Sequence, residues 1–298
     1  MKEMTALHTE PPPVPPPQPR LATDHTAGRN AKISGLTPSS LRKQSASALW
    51  LPIGFGLLFL VIWQLKGFHK LFHLELYQLP IPSAIGKAIQ TNRDLLWNYS
   101  LYTGAEMLGG CLIGSSIGLL AAVAASFFPQ LGKGAVTLVA AFNAVPIVAL
   151  APVMNNWFGD GIASKMAIVA IMTMAAMAVS AYKGLRSVEP AYLELMHSYA
   201  AGGFAIFYKL RLRLALPYIF TALKINMATG IIGAIVGEFF ISSRGLGFLL
   251  SDQIKLGNMP IAWSCIVIAA ALGIAFYSLI QLIERIAIPW HVARRKLQ

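Results

Sequence analysis

Charge is scarce in this sequence. Of 298 residues, 24 are Lys or Arg and 12 are Asp or Glu, 12% in all, against about 25% in a soluble domain. The mean hydropathy is +0.60 and 56% of residues are hydrophobic. That balance excludes an enzyme with an ordinary hydrated surface and a disordered chain; the solvent is lipid. Cysteine is nearly absent. Cys111 and Cys265 both fall in apolar stretches, and two thiols make neither a disulfide framework nor a ligand set. His69 and His73 stand four apart without a third ligand, so no metal site is expected. No G-x-x-x-x-G-K-[ST] occurs, so the chain has no P-loop. His, Asp and Ser do not cluster at catalytic spacing, and no catalytic residue is expected.

What is present is a series of apolar runs. A helix needs roughly 20 residues to cross about 30 Å of hydrocarbon. Six runs qualify, at about 48–65, 101–128, 136–158, 163–182, 218–241 and 261–283. The third is interrupted by Pro146 and Pro152. The expected fold class is therefore an all-α integral membrane protein with about six transmembrane helices. Residues 1–46, with prolines at 11–13, 15–17 and 19, form a separate Pro-rich zone. It is expected to be a disordered tail rather than a cleavable signal peptide. The membrane part then covers 47–290 and a short tail covers 291–298.

The basic residues set the orientation. With both termini in the cytoplasm, inside segments hold sixteen Lys and Arg and outside segments seven, with Lys224 inside the fifth run. The positive charge is thus a topology signal. No basic stripe interleaved with aromatics offers a nucleic-acid surface. Two outside segments exceed simple turns. Residues 83–90 are amphipathic, with Ser83 as expected N-cap. Residues 242–260, with three glycines, read as re-entrant or surface-lying.

The fourth and fifth runs are separated by residues 183–217, and a loop of that length is usually functional. Pro190 opens one helical stretch, Gly202 and Gly203 break it, and a second amphipathic stretch carries Phe204, Phe207 and Leu210 beside Lys209, Arg211 and Arg213. Pro217 marks the expected start of the fifth span. Such an element offers a rigid knob to a soluble partner.

The segment from Glu194 to Pro217 resembles the "EAA" loop of ABC-importer permeases. The agreement lies at Glu194, Ser198, Tyr199, Phe207, Lys209, Arg211, Leu216 and Pro217. Ala200 stands where the family has its glycine, and Arg213 where relatives often have proline. Gly202 and Gly203 are expected to supply the bend instead, two or three residues later. Over about residues 50–290, the stretches VPIVALAPVMNNWFGDGIASK, GLRSVEP, LPYIFTALKI, IVGEF and RGLGFL, with Thr103-x-x-Glu106-x-x-x-Gly110, resemble the nitrate/sulfonate/bicarbonate/taurine group. LELMHSY, LPYIFTALK and VGEF look closest to members serving thiamine-pyrimidine-precursor or riboflavin uptake.

The resemblance implies a type I importer permease in a bacterial inner membrane, working with ABC ATPase subunits, an external solute-binding protein and a second permease copy. It implies that ATP and Mg are bound by the partner ATPase and that this chain binds no cofactor. It also implies an ATPase-coupling role for Glu194, Ser198, Tyr199, Ala200, Ala201, Gly202, Gly203, Phe207 and Pro217.

Inside the runs, Glu106 and Glu238 are the only carboxylates. Intramembrane acids face a bundle interior or water, so these two either line a pathway, pair with Lys224, or gate. Asn143, Asn155, Asn156 and Trp157 put amides and an indole on the broken third run. They are candidates for the translocation pathway or for helix–helix hydrogen bonds and interfacial anchoring. Gly104, Gly109, Gly110, Gly114 and Gly118 point to close packing within the subunit. A secondary transporter using Glu106 and Glu238 as proton sites is the main rival, and a membrane-embedded enzyme the second. The first lacks an inverted repeat and a purpose for the long loop; the second lacks catalytic clustering.

Overall fold

The computed structural model describes residues 38–289. The tails expected at 1–37 and 291–298 lie outside the described residues. The remainder of the expected tail, 38–46, is helical: α1 spans Pro38–Gln64, with proline tolerated in a first turn whose amides have no intrahelical acceptor. Contacts divide the chain inside α1, between Phe59 and Leu60. The first unit carries exposed apolar side chains, Trp50, Ile53 and Phe55 among them. The second unit holds everything that follows.

Helices there are α2 Gly67–Phe72, α3 Pro82–Thr91, α4 Arg93–Phe127, α5 Pro129–Ala141, α6 Ile147–Phe158, α7 Ile162–Leu185, α8 Pro190–Ser198, α9 Gly203–Ile206, α10 Leu212–Ile241, α11 Leu246–Lys255 and α12 Met259–Ala287. No strand occurs among the described residues. Four helical segments are long and apolar enough to cross a membrane: Arg93–Phe127, Ile162–Leu185, Gly203–Ile241 and Met259–Ala287. A fifth candidate for crossing is a bent pair, Gly134–Ala144 and Ile147–Phe158, which turns by 99°. The stretch Pro52–Gln64 is a shorter apolar helix. The bend falls at Val145 and Pro146, where extended backbone ends a 3-10 turn over Phe142–Ala144. Pro152, expected as a second break, sits inside α6 without ending it.

Glycine contacts give the helix directions. Side chains added at Gly110, Gly114 and Gly118 of α4 would overlap the carbonyls of Met166, Ala170 and Met174 of α7. Both series advance by one turn, so α4 and α7 run parallel with their backbones in contact. Their packing is the most extensive in the molecule, and these glycines serve contacts within the subunit. Along α10 the order reverses: Gly237 faces Lys165, Gly233 faces Met172, and Gly184 faces Ala215 and Tyr218. α12 opposes α10 in turn, with Gly273 on Ile231 and Lys224 on Glu284. The parallel pair α4 and α7 needs a return crossing between them, which the bent α5–α6 supplies. One end of the bundle therefore carries the segment between α7 and α10; the opposite end carries α3 and α11.

Two expected local features differ. Ser83 is not the cap of α3; Ile81 is, with Pro82 in the first turn. Ser83 instead binds Gln64, its hydroxyl accepting from Nε2 at 3.0 Å and its amide donating to Oε1 at 3.1 Å. Nor does Pro217 begin a span. A continuous helical path runs from Gly203 to Ile241, through a π-turn at Phe207–Arg211 closed by Leu212 N–H on Phe207 C=O, and Pro217 lies inside α10.

Candidate functional site

The loop between α7 and α10 is built on Pro190 at the start of α8 and a left-handed stop at its end. The Ala200 amide donates to His197 C=O at 2.8 Å and the Ala201 amide to Met196 C=O at 3.0 Å. This paired closure is the Schellman motif, which needs a left-handed residue at the first of the two positions. That residue is Ala200, at φ 52°. The bend expected at Gly202 and Gly203 is thus at Ala200, where the EAA pattern has glycine. Gly202 is extended, with φ −66° and ψ 158°, and Gly203 opens α9.

α8 buries none of its residues. Tyr192, Leu195, Tyr199 and Phe204 are exposed, the last two at 77% and 80%. Glu194 and Ser198 lie on the same helix, and the Ser198 hydroxyl donates to Glu194 C=O. Ala201 is half-buried. Phe207 departs from this group: its ring packs on Phe127 of α4 at 5.1 Å between centroids and joins the core around Ala181, Leu185 and Ala215. The expected coupling residues thus divide into an exposed knob, Glu194 to Gly203, and an anchor, Phe207, with Pro217 in the helix that receives it.

At the other end, Glu106 and Glu238 come together. Both are fully buried, and the Glu106 carboxyl faces that of Glu238. Glu238 accepts the Thr103 hydroxyl at 2.6 Å on one oxygen and the Gly247 amide at 2.6 Å on the other. Thr103 Oγ1 also accepts the Leu246 amide at 2.9 Å. A carboxylate from α10 and a hydroxyl from α4 thereby satisfy two free amides in the first turn of α11. Side chains added at Gly245 or Gly247 would overlap Glu238, and Gly245 also has φ +97°. The RGLGFL and VGEF stretches are two sides of this one contact. Glu106 has no hydrogen-bond partner other than Glu238 among the described residues.

Lys224 pairs with Glu284 at 2.8 Å rather than with either intramembrane acid. The cation near them is Lys165, which sequence reasoning assigned to an outside loop. It is fully buried in α7, with Nζ 3.1 Å from Asp160 Oδ1 and 3.2 Å from Ile241 C=O. The only sequence signal was Asp160, five residues earlier. Asn226 was also missed; it is buried and donates to Ser115 Oγ and Thr173 C=O, both at 3.0 Å.

The amide group on the third crossing does not join the acids. Asn143, Asn156 and Trp157 are exposed, the indole at 70%. Asn155 is half-buried with an unpartnered Oδ1. The opposite face of α6 buries Ala151 and Met154 against Ile168.

A helical protein that crosses a membrane several times, with an exposed helix–turn–helix at one end and buried acids near the other, is a multi-pass membrane protein. Residues 114–287 match the family of binding-protein-dependent transport system inner membrane components, and the chain belongs to it: it is a permease subunit of an ABC importer of small solutes. It is 30% identical to a probable ABC transporter permease protein of Haemophilus influenzae, over 73% of this chain and 88% of that one. It is 29% identical to the formylaminopyrimidine transport permease protein ThiX of Halalkalibacterium halodurans, over 83% and 98%. It is 28% identical to the riboflavin transport system permease protein RibX of Chloroflexus aurantiacus, over 85% and 94%. Its fold matches that of an inward-facing structure of the MetNI methionine ABC transporter with TM-score 0.59 and 19% identity, over 65% of this chain and 97% of that one.

Proposed function

We propose that this permease conducts a vitamin precursor of the pyrimidine or riboflavin kind, delivered by an external binding protein and driven by separate ATPase subunits that bind ATP and Mg and dock on the exposed knob at 190–204. The observation that carries the docking role is α8 itself. An amphipathic helix that buries nothing in its own chain, yet exposes Tyr192, Leu195 and Tyr199, presents the aromatic anchors typical of interface centres. Phe207 and the continuous helix behind it then carry a push on the knob into α10, which touches α4, α7, α11 and α12. The knob end is cytoplasmic, the α11 end faces outward, and both termini are inside, in a bacterial inner membrane.

The exposed amides of Asn143 and Asn156 support a second permease copy. Amides facing hydrocarbon lack partners, so this face of the bent pair meets a water-lined path or the other subunit; the family resemblance is the support for that subunit being a second copy of this chain. The vitamin-precursor class is supported by the near full-length similarity to ThiX and RibX; taurine, sulfonate and nitrate are the competing solutes.

The test uses the solute-binding protein that works with this permease. Its thermal shift is measured with a pyrimidine precursor, riboflavin, taurine, an alkyl sulfonate and nitrate. A shift with a heteroaromatic compound is expected; a shift with the small anions alone overturns the solute class. For docking, cysteine at Tyr199 is expected to cross-link to the ATPase subunit, and its absence overturns the assignment.

A further inference from the structure

At the knob end, Tyr208, Leu212, Arg213 and Leu216 line a groove beside the π-turn. We propose that this groove binds the phosphate of an anionic phospholipid in the leaflet at that end. The site is independent of the solute carried and goes beyond the transport reading above.

Three observations carry it. First, the backbone builds the groove. On a regular α-helix, residues five apart stand about 140° apart around the axis. The wider turn at Phe207–Arg211 lets Tyr208 and Arg213 line one groove together, and such turns recur at functional positions. The Tyr208 ring is stacked on Phe204, at 6.5 Å between centroids and 6° between planes, so this wall is already in place.

Second, the positive charge is unspent. Arg213 and its neighbour Lys209 are exposed, and neither forms an ion pair among the described residues. The nearby acid Glu284 is already taken by Lys224 at 2.8 Å. A guanidinium matches a phosphate with paired donors, and the Tyr208 hydroxyl can add a third.

Third, the position selects a lipid. The helical path from Gly203 to Ile241 has 39 residues, whereas hydrocarbon needs about 20. Its far end already meets α11 through Glu238 and Gly247, so the surplus lies at the knob end. There Lys209, Arg211 and Arg213 give way to Leu214, Ala215 and Leu216, and the next charge is Lys224. That change from basic to apolar marks the headgroup level, where Lys and Arg attract anionic lipid. Leu212 and Leu216 give the groove an apolar floor, which suits an acyl chain and does nothing for a free phosphate.

The experiment titrates the full-length permease in neutral detergent with dioctanoyl phosphatidylglycerol, dioctanoyl phosphatidylcholine and glycerol phosphate, reading the thermal midpoint. Phosphatidylglycerol alone is expected to raise it. Arg213→Gln is expected to weaken the apparent affinity roughly fivefold, the worth of one basic side chain at an anionic surface. Lys255→Gln, at an exposed lysine of the opposite end, leaves it unchanged. Tyr208→Cys reads binding without the Arg213 variant. Tyr208 is exposed and the two native cysteines are buried, so an impermeant maleimide labels position 208, and phosphatidylglycerol but not phosphatidylcholine is expected to slow that labelling. An equal response to glycerol phosphate would make this a soluble-anion site, and equal weakening by Lys255→Gln would make the attraction diffuse. Either result overturns the lipid site, as does unchanged labelling at 208. With ATPase subunits added in the absence of phosphatidylglycerol, Arg213→Gln is expected to bind them as wild type does; a loss there assigns the arginine to that partner and overturns the proposal.

Discussion

A single alanine carries the turn after α8. Ala200 adopts the left-handed conformation that closes the Schellman motif after α8, and a Cβ there costs on the order of 1 kcal/mol relative to glycine. Ala200→Gly is therefore expected to raise the thermal midpoint of the detergent-solubilised protein by a few degrees without loss of uptake. Cys111 and Cys265 are buried, so their labelling on heating follows unfolding. A lowered midpoint would show that the turn lies elsewhere. Thr103 is the second decisive residue. Thr103→Val keeps the shape but leaves the Leu246 amide without an acceptor and one Glu238 oxygen without a donor. A loss of about 1–3 kcal/mol is expected, read as a lower midpoint; an unchanged one would mean that water or a neighbour replaces the hydroxyl.

At the scale of elements, the same residue type serves two ends differently. Gly202 and Gly203 have open space around them, so bulky replacements there cost the isolated permease little. In the assembled transporter they are expected to uncouple ATP hydrolysis from uptake, because only a docked partner would meet them. If uptake persists at normal ATP stoichiometry, this segment is not the coupling contact. Gly114 is the opposite case. A Cβ there would overlap Thr173 and the Ala170 backbone of α7, and backbone cannot yield as a flexible side chain does. Gly114→Val is expected to destabilise by about 3 kcal/mol and to lower the yield of folded protein. A yield and midpoint equal to wild type would show that α4 and α7 are not in direct backbone contact.

For the whole molecule, the parallel course of α4 and α7 makes the direction of every later helix depend on the bent α5–α6 pair. If that pair crosses, its two flanks, at Phe128 and Gly161, lie on opposite sides of the membrane. Single cysteines at Phe128 and Gly161, both exposed, test this in intact cells with an impermeant thiol reagent. Position 161 is expected to label from outside and 128 only after permeabilisation; labelling of both from one side would make the bent pair a re-entrant loop. The exposed apolar surface fits lipid or a neighbouring subunit, since only 11% of the apolar window of α12 is buried.

Composition alone determined that lipid is the solvent, because 12% charge cannot clothe a water-soluble surface. Run length determined where the long helices are, and the Glu194–Pro217 pattern located the loop between α7 and α10, since both are local properties of consecutive residues. The same locality explains the misses. A glycine pair looks like a bend wherever it stands, yet the hydrogen bonds at the end of α8 put the left-handed residue at Ala200. Pro217 looks like a boundary, but the helix behind the π-turn passes through it. Lys165 counted as a loop charge until Asp160 and Ile241 were found around its Nζ. Only the tertiary structure could bring Thr103 to Glu238 and Gly247, because a contact between Thr103 and Glu238, 135 positions apart, depends on how the helices pack, and no pattern within one of them encodes it.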